Sequence, residues 1–344
     1  MKQVLTRREF GDAAGAGLLT AAFIRRPRAE EAFRLRFSLD TAPSHGRNQA
    51  IVDYLNKVEA ASGGQIKPEV FHSGQLFSDL NVSKALVQGQ VDMAAPGAWT
   101  LTGLVPDCDF FQLPMLYGQP IDIVHRATDG GAGALVAKHL ETKLRSHVIG
   151  NWIDLGYLNW YTTQKPVHSL ADLKGLKLRS PGGAAITWRI TWVGAIPNTT
   201  AWPNVPLSLS QGTFDGLVSS DESCATAQLW EAGLRHSYAD HQFLGQYIPM
   251  VSLAFWSKLP GDLQQKMTGL WAENIPAYRQ NLLQLQVNAR KAMEAHGVSF
   301  VDPAPEQISQ DRKRMMADQD QMIKAAKLSP EIVKAVIDEV GAVG

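Results

Sequence analysis

The sequence predicts an α/β protein of two lobes with a cleft between them, bridged by one long helix bent at a proline. Three observations carry this prediction. A strand–helix–strand rhythm occurs twice along the chain. The length of 344 residues is large for a single core. Residues 260–297 read as helix throughout and are interrupted only by Pro276, which should bend the helix there.

The first rhythm begins with FRLRFSLDTA (33–42), whose apolar residues alternate as in a half-buried strand. GRNQAIVDYLNKVEAA (46–61) has helical spacing and stops at Ser62-Gly63-Gly64. QIKPEVFHSG reads as a second strand, SDLNVSKALVQG as a helix with Ser78 as N-cap, and QVDMAAP as a short third strand. After the break FFQLPMLYGQP, one helix is expected from Ile121 to Leu144, followed by strands in HVIGNWIDLGYLNWYTTQKPV. The second rhythm spans 172–218: strand KLR, helix 184–194, a strand at 197–200, helix 204–211 and strand FDGLVSS.

Bulk numbers exclude several classes. Lys+Arg and Asp+Glu are equal at 33 each. With six basic and four acidic residues in 1–32, the remainder holds 27 against 29, which does not suit nucleic acid. No apolar run approaches the roughly 20 residues of a membrane span. Cys108 and Cys224 are the only cysteines, enough for one bridge at most and equally compatible with two buried thiols. The N-terminus is informative. Arg7-Arg8-Glu9-Phe10, a soft apolar stretch and Arg25-Arg26-Pro27 read as a twin-arginine type export signal over 1–32. The mature protein is therefore expected in the periplasm, not embedded in the membrane.

Catalytic and metal signatures are poor. There is no G-x-S-x-G, no H-E-x-x-H and no Walker loop, and GGAGA (130–134) lacks the following Lys. His236 and His241 are five apart, better read as bland histidines than as a metal pair, and Asp221-Glu222 better as helix-capping acids than as a catalytic pair. No catalytic residue, metal ligand or cofactor is expected.

Binding signals are better. Trp99, Trp152, Trp160 and Trp202 fall at strand ends and loops, as pocket walls do. Arg179 closes the strand KLR, at the carboxyl edge where open α/β sheets hold ligands, and a guanidinium there can clasp a carboxylate in parallel hydrogen bonds. The helix start beyond Gly182-Gly183 would add backbone N–H groups.

Several stretches together resemble one family: ASGGQIKPEVFHSGQL (61–76), KALVQGQVDM (84–93), FFQLPMLY (110–117), SLADLKGLKLRSP (169–181), VGAIP (193–197), SQGTFDG (210–216) and LAFWSKLPGDLQQKM (253–267). They are similar to the periplasmic solute-binding proteins of tripartite ATP-independent periplasmic (TRAP) transporters, the dicarboxylate-receptor family. The resemblance implies a periplasmic-binding-protein architecture, with lobe I at 33–156 and 245–284 and lobe II at 157–244 and 285–344. It implies a receptor that closes on a small carboxylate and delivers it to membrane permease subunits, with Arg179 as the clamp and Trp202 as a pocket aromatic. Ser219 stands where the family commonly has a substrate-binding Asn, and Trp160 where some members carry a second arginine. Asp40, Gln75 and Asp79 occupy pocket-lining positions, with Trp99 as a further wall. Loss of that Asn and Arg points to one carboxylate and a face that stacks: uronates, hydroxy or keto acids, or aromatic acids rather than sialic acid or C4-dicarboxylates. A secreted two-lobed α/β enzyme and a signalling receptor for an organic acid are the alternatives.

Overall fold

The computed structural model describes residues 32–341, so the export signal expected in 1–32 lies essentially outside the described residues. The strands are β1 (Phe33–Ser38), β2 (Ile66–Phe71), β3 (Met93–Ala94), β4 (Ser146–Val148), β5 (Ile153–Thr162), β6 (Lys177–Ser180), β7 (Ile196–Thr199), β8 (Gly216–Ser219), β9 (His236–Tyr247), β10 (Met250–Ser252) and β11 (Ser299–Val301). They form two sheets, ordered β2-β1-β3-β10-β4 and β11-β9-β5-β8-β6-β7. β1 lies parallel to β2 and β3, and β6 lies parallel to β7 and β8, so each expected rhythm builds the parallel part of its own sheet.

Alternation explains the strand faces. Leu35 and Phe37 of β1 are fully buried, while Arg34 reaches out to Glu69. The helix Gly46–Ala61 has the bounds its periodicity predicts, and the chain leaves it through Gly63 and Gly64, both at positive φ. Ser78 precedes the helix Asp79–Val87 as expected, but its hydroxyl takes a hydrogen bond from Asn81 instead of capping a backbone N–H. The single helix expected over 121–144 is two, Ile121–Asp129 and Gly131–Leu144. Gly130 between them is extended, and a Cβ there would lie 2.4 Å from the Arg126 carbonyl oxygen, so the backbone turns at the residue that leaves room.

The chain passes between the sheets at β4 to β5 and at β9 to β10, and again along the helix Gly261–Ala295. That helix has 35 residues and runs on through Pro276, which supplies no N–H to the ladder. Its first half joins the first sheet's layer. The Trp271 ring meets Tyr54 edge-on at 5.0 Å, and its indole N–H donates to the Asn151 carbonyl. Its second half joins the other layer through Gln286, which donates to the Leu155 carbonyl, and through Met293, packed with Tyr161 and Trp230. The last helix, Pro330–Val340, packs on the helices Ile121–Asp129 and Gly131–Leu144, whereas Gln319–Ala326 packs on Ala184–Trp192.

Cys108 and Cys224 are buried free thiols. No helix among the described residues is long and apolar enough to cross a membrane.

Candidate ligand-binding site

The carboxyl ends of β1, β6 and β8 converge on a cavity lined by Asp40, Thr41, Asp79, Trp99, Leu155, Leu158, Arg179, Pro181, Trp202, Val218, Ser219, Ser223 and Tyr247. Its volume of ≈ 20 Å³ is room for about one water. Residues of both sheets contribute, so the walls approach each other closely.

Arg179 is buried at 2 % exposure near the end of β6. Its Nε donates to the Thr200 carbonyl at 2.9 Å and its Nη1 to the Val218 carbonyl at 3.4 Å. Two strand-end carbonyls thus fix the guanidinium plane, and Nη2 is aimed at Asp79 Oδ2, 3.8 Å away. The Trp202 ring lies 5.4 Å from the guanidinium carbon, a cation–π contact. Asp79 begins the helix Asp79–Val87, where the dipole favours a carboxylate, and it accepts the Trp202 backbone N–H at 3.2 Å. Burial first, then the charge of Asp40, push the Asp79 carboxyl up to about 6, against the pull of Arg179.

A second buried arginine stands behind this wall. Arg47 donates to Asp40 and, at 2.7 Å, to the Thr41 hydroxyl, and its guanidinium lies 3.9 Å over the Tyr247 ring. Beside it His45 is held neutral, its pKa lowered to about 3 by burial and by Arg47. His45 Nε2 is 3.1 Å from the Ser223 hydroxyl, and the Glu222 carboxylate accepts the Gly46 N–H. Burial pushes Glu222 up to about 7. The His45-Gly46 corner beside the first sheet thus docks on Glu222-Ser223 beside the second.

Six of the eight expected site residues line the cavity: Asp40, Asp79, Trp99, Arg179, Trp202 and Ser219. Gln75 and Trp160 do not. Gln75 is exposed on the turn after β2, where Ser73 and Gly74 at positive φ carry the chain away from the cavity. Trp160 is fully buried, and its indole N–H donates to Asp240 at 2.7 Å, a partner that draws the ring into the core. Trp152 packs on Phe110 in the core as well. The helix start after Gly182-Gly183 offers its N–H groups to the protein itself, because the buried Asp109 accepts the Ala185 N–H at 3.0 Å. The glycines admit close approach to Trp99, whose Cβ a Gly183 side chain would meet at 3.3 Å.

Outside the cavity, Asp221 accepts the Tyr161 hydroxyl, and Ser220, rather than either acid, caps the helix Asp221–Thr226. His236 bonds Ser299 while His241 stacks on Tyr157 at 4.5 Å, so the two have separate partners. Among the described residues no group of three or more His, Cys, Asp or Glu could hold a metal.

Sequence reasoning missed Arg47 and Tyr247. A signal for Arg47 existed: an arginine in the first turn of a helix opposes the dipole, so another interaction has to hold it there.

Two sheets linked by crossing strands and a long helix, closing on a charged cavity with aromatic walls, define the class of two-lobed solute receptors. The pattern of bacterial extracellular solute-binding protein, family 7, matches residues 37–325, and the chain belongs to that family, as its motifs led us to expect. The C4-dicarboxylate-binding periplasmic protein DctP of Rhodobacter capsulatus is 28% identical over 272 residues, 79% of this chain and 80% of that one. A TRAP periplasmic solute-binding protein of a Sulfitobacter species, solved with β-D-galacturonate, superposes with a TM-score of 0.82 at 20% identity, covering 90% of this chain and all (100%) of that one. A second, from Sulfurospirillum deleyianum and solved with succinate, gives 0.80 at 22% identity, covering 91% and 100%.

Proposed function

We propose that this protein is the periplasmic receptor of a TRAP transporter, capturing a small organic acid with Arg179 as its carboxylate clamp. The observation that carries the reading is the buried guanidinium, fixed by two strand-end carbonyls, whose remaining donors face a cavity. Charged donors in a desolvated site hold a carboxylate strongly. Trp99, Trp202 and Tyr247 supply faces on which a ring can stack. Relatives and solved neighbours bind carboxylates by their names, succinate and galacturonate among them.

The cavity is too small for a sugar acid, since ligand pockets usually span some hundreds of Å³. Binding therefore requires the lobes to part and reclose. Lobe I takes 33–156 and 245–284 and lobe II 157–244 and 285–344, with the helix Pro330–Val340 of the latter packed on Ile121–Asp129 and Gly131–Leu144 of the former. The links β4–β5 and β9–β10 and the long helix act as the hinge. The closed form is what permease subunits would read, after export by the twin-arginine type signal in 1–32. The role is capture without catalysis.

Mass spectrometry of the small molecules released on denaturing the purified protein tests this. A carboxylic acid in stoichiometric amount is the expected result. A neutral or purely cationic ligand would overturn the assignment of Arg179.

A further inference from the structure

The wall opposite Arg179 is acidic. Asp79 and Asp40 both line the cavity, and each already has an arginine: Asp79 faces Arg179, and Asp40 is bound by Arg47. The two positive charges are therefore matched by two negative ones before any ligand enters. A ligand carboxylate on Arg179 adds a negative charge, and a second carboxylate would have to sit beside two aspartates in a desolvated space.

We propose that this site selects acids carrying one carboxylate and, next to it, hydrogen-bond donors, hydroxyls or an ammonium, and that Asp79 and Asp40 are the acceptors that exclude dicarboxylates. The inference rests on the reading of Arg179 as the carboxylate clamp. An ionised carboxylate has about four lone-pair sites, and the Trp202 N–H at 3.2–3.3 Å with the Leu80 N–H leaves part of those on Asp79 open to a ligand donor. Both aspartates already have protein donors, so a ligand hydroxyl or ammonium adds to a satisfied acceptor, whereas a second ligand carboxylate meets like charge in a desolvated space. Trp99 adds the complementary feature, since its indole N–H is buried without an acceptor and belongs to the same wall.

The charged and titratable groups around Asp79 come from each element packed against it. They are Asp40 at the end of β1, Arg47 in the helix Gly46–Ala61, Arg179 of β6 and Tyr247 of β9, with His45, Glu222 and Cys224 one layer behind.

Titration calorimetry of the full chain with D-glucuronate, D-gluconate, 4-aminobutyrate, succinate and glutarate tests the proposal. The best donor-bearing acid should bind at least about tenfold more tightly than either diacid, and Asp79→Asn should cut that preference about tenfold. If Asp79→Asn does not fold, the wild-type ranking alone decides. Succinate or glutarate binding as tightly as the best donor-bearing acid overturns the proposal while leaving the receptor reading intact. So does an Asp79→Asn protein that folds and keeps the wild-type ranking. If no acid of the panel binds, this inference falls, while the carboxylate reading stands or falls on the acid released from the purified protein.

Discussion

Arg179 stands where its charge is costly unless something answers it, buried and braced by the Thr200 and Val218 carbonyls. Replacing it by alanine strips the ligand carboxylate of its charged donor, a loss of roughly 2–3 kcal/mol, or about 30- to 150-fold in Kd. Calorimetry with the ligand recovered from the protein checks this, and near-normal affinity would place the carboxylate elsewhere. Gly46 is constrained by crowding. A Cβ there would lie 2.4 Å from Leu285 Cδ1 and 2.8 Å from Glu222 Oε1, at the contact between the two layers. Gly46→Ala is expected to cost about 1–3 kcal/mol and lower the thermal midpoint by several degrees in scanning calorimetry. Trp160 shows what a residue's identity alone does not reveal. Strict alternation would put Leu155 and Leu158 on opposite faces of β5, yet both line the cavity. Register irregularities at Asp154/Gly156 and Leu158/Trp160 reset the faces, and such bulges leave no reliable mark in the sequence.

Among the elements, the helix Gly261–Ala295 keeps its path through Pro276, an exposed position. Pro276→Ala restores the missing N–H and removes the ring's clash with the preceding turn. Stability should rise by up to about 3 kcal/mol, read as a higher thermal midpoint. A lower midpoint would show that the proline's local geometry is built into the packing of Trp271 on one side and Met293 on the other. Element identity was legible wherever periodicity was long: the helices at 46–61 and 261–295 follow their patterns closely. It failed where one glycine decided the path, as at Gly130, because 121–144 has helical spacing on both sides of the break.

Four buried carboxyls give the whole molecule an acid-side preference. Burial raises Asp79 to about 6 and Asp109, Asp240 and Glu222 to about 7. Each favours its protonated form when folded, so its contribution is full below the unfolded values near 4 and is lost as pH rises through 6–7. His45 acts in the opposite sense, since its folded pKa of about 3 means stability is lost as pH falls below about 6.5. His72 and His241, also lowered by burial, act in the same sense as His45, and the four carboxyls outnumber these three. The thermal midpoint should therefore rise as pH is lowered from about 7.5 to about 5.5. Asp240→Asn should flatten that slope while leaving acceptors for Tyr117 and Trp160. A midpoint that falls steadily over this range would show that these groups are hydrated.

The sequence by itself determined the family, the α/β class and Arg179 at the edge of its strand, because motif order, hydrophobic period and strand ends are local properties of the chain. Only the tertiary structure decided which tryptophans face the cavity, that Asp109 occupies the helix start after Gly182-Gly183, and that Arg47 holds Asp40 opposite Arg179. Those outcomes depend on bulges and on partners from distant segments, and a buried charge is fixed by the group that answers it in space.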